Sequence, residues 1–81
     1  MPRSHKFRVF EQDVGAHGYS GVRDVLASSP MRAVRLISKL GHLDGNQLIA
    51  LPHTRKDLWP DGRTGRVRPE ALKIGRSESA A

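Results

Sequence analysis

The chain contains no cysteine. Disulfides, cysteine-ligated zinc and thiol nucleophiles are excluded at the outset, and the composition fits a reducing, cytoplasmic setting. Acid is scarce: eight Asp and Glu stand against fourteen Lys and Arg, a formal net charge of +6. The carboxylates (Glu11, Asp13, Asp24, Asp44, Asp57, Asp61, Glu70, Glu78) are scattered. Paired-acid hydrolysis needs two of them facing one cleft. Glu11 or Asp13 is expected to lie across a hairpin from Asp24, as solvated cross-strand charges beside Arg8 and Arg23. Long apolar runs are missing as well. The longest, residues 48–52, is far too short to span a bilayer. The basic start, residues 1–6, is followed by no apolar stretch of the secretory kind, because Arg8, Glu11 and Asp13 interrupt it.

Motifs of catalysis and metal binding are absent too. His5, His17, His42 and His53 include no pair at i, i+4 on a helix and no H-E-x-x-H. No G-x-S-x-G elbow exists. Gly15, Gly18 and Gly21 are spaced G-x-x-G-x-x-G, but they lead into a strand. A phosphate cradle leads into a helix N-terminus, so these glycines read as a hairpin loop. No enzyme, no cofactor and no metal are expected.

What remains is a short chain with room for one modest core, 37% hydrophobic and 27% charged. Residues 1–6 read as a basic arm, residues 7–74 as one domain and residues 75–81 as a flexible tail. Residues 7–12 alternate, with Phe7 and Val9 on one face and Arg8 on the other, which predicts a strand. Residues 13–21 are turn-rich, and residues 22–27 resume strand character, so a hairpin is expected. Ser29 is a helix N-cap and Pro30 suits the first helical position. Over residues 30–40, Ala33, Val34, Leu36, Ile37 and Leu40 form one apolar arc, all five expected in the core. Gly41 is the expected left-handed C-cap. Residues 47–51 form a third strand, so apolar that a central place under the helix is expected. Trp59, Pro60, Asp61 and Gly62 signal a turn. Residues 63–68 read as a short hairpin partner and residues 69–73 as a helical turn. The fold class is α+β: a small antiparallel sheet in β-β-α-β order, one amphipathic helix on one face, and a basic C-terminal extension.

The basic residues carry the functional expectation. Ten of the fourteen are arginine, whose planar fork suits phosphate and carboxylate. Arg32, Arg35 and Lys39 fall at i, i+3 and i+7 on the helix, opposite the apolar arc, with no carboxylate within a turn on that helix. Arg55, Lys56, Arg63, Arg66 and Arg68 follow, with Trp59 among them. Trp59 reads first as a core anchor and second as a base-stacking platform. No motif is specific enough to name a family; residues 6–10 lack the glycines of the RNA-recognition motif. The expectation is a small, basic, non-enzymatic nucleic-acid-associated protein that holds phosphate backbones through these two sets. The alternative is an adaptor or inhibitor, of the kind carried by phages or mobile elements, whose basic face docks on an acidic protein surface. Neither version involves a membrane.

Overall fold

In the computed structural model, residues 3–13 and 18–78 are described. Met1, Pro2 and residues 79–81 lie outside them, as do Gly15 and His17 of the glycine loop and the histidine set. Strand β1 runs His5–Gln12 and β2 Tyr19–Ala27; helix α1 is Pro30–Gly41, β3 is Leu48–Pro52 and α2 is Pro69–Ile74. Short 3₁₀ turns occupy Gly45–Gln47 and His53–Leu58. The sheet is antiparallel with order β2-β1-β3. The expected α+β architecture holds, and the β-β-α-β order matches in part, because the short 3₁₀ turns and a second helix, α2, add to it.

Alternation along β1 sorts two cores. Phe7 and Val9 face α1 and pack with Ala33, Val34, Ile37, Leu48 and Ala50. Phe10 faces the other way and packs with Ile49, Leu51, Leu58 and Ala71, flanked by Tyr19, Trp59, Val67 and Ile74. The molecule therefore has three layers: α1, the sheet, and a C-terminal layer of turns and α2. His5 and Lys6 belong to β1 rather than to a loose arm.

Strand β3 sits at an edge, not at the centre; β1 is the middle strand. All five β3 residues are nonetheless buried, because α1 covers one face and the C-terminal layer the other. The outer edge of β3 is closed as well: the Ala50 N–H donates to the Gly75 carbonyl at 3.0 Å. A side chain at Gly75 would place its Cβ 2.7 Å from the Ile49 Cβ and 2.9 Å from the Ala71 carbonyl oxygen, so only glycine permits this approach. Residues 63–68 form no strand. They make a turn in which Gly65, at φ 70°, accepts a hydrogen bond from the Tyr19 N–H at 2.7 Å.

The tail from residue 75 is docked as far as Glu78. The Ser77 carbonyl accepts from the Met31 N–H at 2.9 Å, satisfying one of the donors that a helix start leaves free. Ser29 satisfies another, its hydroxyl taking the Arg32 N–H, while its carbonyl accepts the first intrahelical bond, from the Ala33 N–H. At the other end of α1 the left-handed residue is His42, φ 53°, and not Gly41. The helix runs one residue further than expected, and both His42 and Leu43 donate to the Ser38 carbonyl, which folds Leu43 back onto the core.

The apolar arc of α1 is wider than the surface it covers. Ala33, Val34 and Ile37 are buried, but Leu36 is 40% exposed and Leu40 is 61% exposed. The helix packs chiefly over β3, and its flank towards β2 is left only partly covered, beside a groove lined by Leu40 and Val22. Ile37→Ala is expected to cost about 2–5 kcal/mol in denaturant unfolding, and Leu36→Ala less than about 1 kcal/mol. Truncation after Gly75 leaves the Met31 N–H to water. The expected cost is about 1 kcal/mol, read as a fall in thermal midpoint of about 4–8 °C; a fall under about 2 °C would show that the docked segment contributes nothing.

Candidate polyanion-binding surface

The inward set of α1 fixes the outward one. With Ala33, Val34 and Ile37 against the sheet, the 3.6-residue period turns Arg32, Arg35 and Lys39 to solvent, and all three are exposed. Arg32 and Lys39 have no ion pair among the described residues. Arg35 does: its Nη2 lies 3.1 Å from Glu78 Oε1, a partner brought by the docked tail. Both side chains are more than two-thirds exposed, so the pair contributes little and exchanges readily for another anion. Arg76 joins this side of the molecule, its guanidinium donating to the Asn46 carbonyl.

The second basic set lies elsewhere. Residues 55–68 belong to the layer on the opposite face of the sheet, so the two expected patches are two surfaces rather than one. Within this set Arg55 is committed. Its Nε and Nη2 reach the two oxygens of Asp57 at 3.1 and 3.2 Å, and Nη2 lies 4.0 Å from Glu70. The Asp57 hydrogen bonds raise the Arg55 pKa, and the same bonds, with the nearby Arg68 charge, lower that of Asp57. Lys56 Nζ lies 5.5 Å from the Trp59 ring centroid. Arg63, Arg66 and Arg68 are exposed and carry no ion pair among the described residues. The backbone N–H groups of Arg63 and Arg66 donate to Asp61 and Thr64 in the turn.

A third constellation was not anticipated. Arg8 stands directly opposite Asp24 in the β1–β2 register. Glu11 pairs instead with Ser20, so the expected juxtaposition of Glu11 with Asp24 does not occur. The Arg8 fork donates to both Asp24 oxygens, at 2.7 and 3.2 Å, and His53 Nε2 lies 3.1 Å from Asp24 Oδ1. The Arg8 guanidinium sits 4.7 Å from the Trp59 centroid, and the His53 ring meets Trp59 edge-on at 4.9 Å. Trp59 Nε1 donates to the Pro52 carbonyl at 3.2 Å, and Phe10 meets the ring edge-on at 5.7 Å. Trp59 is thus an anchor with cations against its ring, which supports the core reading. The sequence places Arg8 and Asp24 on the two hairpin strands, but the register shift at Val22 sets them opposite each other, and His53 joins only through the turn after β3.

The charges of this cluster are paired with one another. Asp24 accepts from Arg8 and then from His53, and these bonds hold its carboxyl well below the usual carboxylate range. Among the described residues no group of three or more His, Asp or Glu could hold a metal ion. Because folded Asp24 is harder to protonate than unfolded Asp24, acid favours the unfolded chain. Its contribution is complete well above the unfolded value near about pH 4, and is lost as pH falls through the lower folded value. The difference in thermal midpoint between wild type and Asp24→Asn is expected to shrink as pH is lowered from about 6 towards about 2; an unchanging difference would contradict the linkage.

Comparison with protein-family models, curated proteins and solved structures finds no match to this chain.

Proposed function

We propose that the protein is a small, non-enzymatic, nucleic-acid-associated domain that holds phosphate backbones on the outer face of α1, in the cytoplasm. The observation that carries this reading is how the scarce acid is spent. Asp24, Asp57, Glu70 and Glu78 are engaged by Arg8, Arg55 and Arg35, while Arg23, Arg32, Lys39, Arg63, Arg66 and Arg68 form no ion pair among the described residues. The surplus charge is therefore displayed, and on α1 it is displayed in a row on a rigid element. Such a row binds a polyanion by releasing its counterions, with little dependence on base sequence. The C-terminal arginines face the other way, so one rigid duplex cannot use both sets at once. No helix among the described residues is long and apolar enough to cross a membrane.

The test is a pair of triple substitutions. Arg32→Gln with Arg35→Gln and Lys39→Gln is expected to weaken binding to unrelated duplexes alike. It should also flatten the salt dependence by up to about 0.9 log units per lost contact. Arg63→Gln with Arg66→Gln and Arg68→Gln is expected to leave that slope nearly unchanged. Absence of wild-type binding at low micromolar concentration in about 0.1 M salt would overturn the reading, because contact charges are not abolished at that ionic strength.

A second reading, docking on an acidic protein surface, is favoured by Leu36 and Leu40, exposed beside the basic row. Phosphate has no use for exposed leucines. On that reading bulk nucleic-acid binding is weak, and a captured partner survives nuclease treatment.

A further inference from the structure

The two edges of the sheet are treated differently. The β3 edge is closed by Gly75, whereas β2 pairs with β1 alone: the Tyr19 N–H at its start donates to the Gly65 carbonyl, but past the bulge residues 23–27 meet no strand or segment on their outer side among the described residues. Below that open edge lies a groove of about 380 Å³ between β2 and the C-terminal end of α1. Val22, Ile37, Leu40 and Leu43 give it apolar walls, and Arg23 is the one charged residue lining it. Val22 is 45% exposed because the register shifts between Val9 and Phe10: Arg23 pairs with Val9 and Gly21 with Phe10, leaving Val22 with no partner on β1.

We propose that this edge and groove receive an extended, acidic segment of another protein, added to β2 as a fourth strand. An unpaired edge offers a row of backbone donors and acceptors to such a segment, and side-chain pockets beside the edge select it. Pairing runs along residues 23–27, past the bulge. Alternate residues of the incoming strand face the helix side, where they fill the apolar groove and bring carboxylates to Arg23. The residues between them face the other side, where Leu26 is 66% exposed and lies opposite Lys6.

Charge selects the occupant. Arg23 has no ion pair among the described residues. The acid of β2, Asp24, points to the opposite face and is already held by Arg8 and His53. The incoming strand must therefore supply the carboxylates. A second copy of this chain is a poor occupant. Two-fold antiparallel pairing along residues 23–27 sets Arg23 against Ala27 and Asp24 against Leu26, so a second copy brings no carboxylate to Arg23, and it joins two chains of net charge +6. A nucleic acid supplies negative charge but nothing to bury against Val22 and Leu40. The edge lies apart from the basic row of α1, so this inference stands whether or not that row binds phosphate.

The experiment is selection of a displayed library of random short peptides on the immobilised protein, followed by amide chemical-shift mapping with the best selected peptide. The enriched sequences are expected to carry apolar residues and a carboxylate at i, i+2 spacing, on one face of the strand, with shift changes along residues 22–27 and 37–43. Leu40→Lys and Val22→Lys, both at exposed positions, should each weaken that peptide about tenfold or more at an unchanged thermal midpoint. The Arg32→Gln, Lys39→Gln double variant should not weaken it. No enrichment, enriched peptides without acidic residues, or shift changes confined to the outer row of α1 would each overturn the proposal. So would a concentration-dependent self-association that shifts the same β2 amides without peptide, since a second copy would then be the occupant.

Discussion

The hydrogen bond from the Ala50 N–H to the Gly75 carbonyl is the constraint on which the rest of this molecule depends. A small domain cannot leave a wholly apolar strand open at an edge, because its unpaired backbone would be a template for aggregation. The C-terminal segment meets that need by crossing from the far layer, passing the β3 edge at Gly75, and reaching the start of α1 at Ser77. Glycine at residue 75 lets the two backbones meet where any side chain would strike Ile49. One crossing thus positions α2, buries β3 on every side and completes the first turn of α1.

The same crossing decides which surfaces are free. It brings Glu78 to Arg35, taking one charge partly out of the α1 row, and it leaves β2 as the open edge. The scarce carboxylates are used for internal pairing, above all in the Arg8, Asp24, His53 and Trp59 cluster, which ties β1, β2 and the turn after β3 together. The outward charge is what internal pairing leaves over. It is divided by the sheet into an α1 surface and a C-terminal surface, and this division makes a single binding face combining Arg32 with Arg66 geometrically untenable.

Much of this was legible in the chain. Alternation located β1, the Ser29 and Pro30 pair located the start of α1, and the apolar run located β3. The errors have physical causes. Leu36 and Leu40 obey helical periodicity, yet periodicity says nothing about the width of the sheet beneath, and a helix centred over β3 cannot bury them. The β1–β2 register turned on a bulge at Val22, so the partner of Asp24 could not be read by counting. Residues 63–66 and 75–78 carry no hydrophobic period because backbone atoms hold them, at Gly65 and Gly75 above all; side-chain pattern is silent about such contacts. The apolar run of β3 predicts its burial but not its edge position, because a covering segment buries an edge strand as fully as neighbouring strands would.

Native-state amide hydrogen exchange tests the central claim most directly, because it reads both edges of the sheet at once. The account predicts that the amides of Ala50 and Met31 exchange only through global unfolding, as slowly as those of the middle strand, while the outward-facing amides of residues 23–27 in β2 exchange rapidly. Fast exchange at Ala50 and Met31, at rates like those of the β2 edge, would contradict it: the C-terminal segment would then not seal β3, and the distinction between a closed and an open edge would be lost.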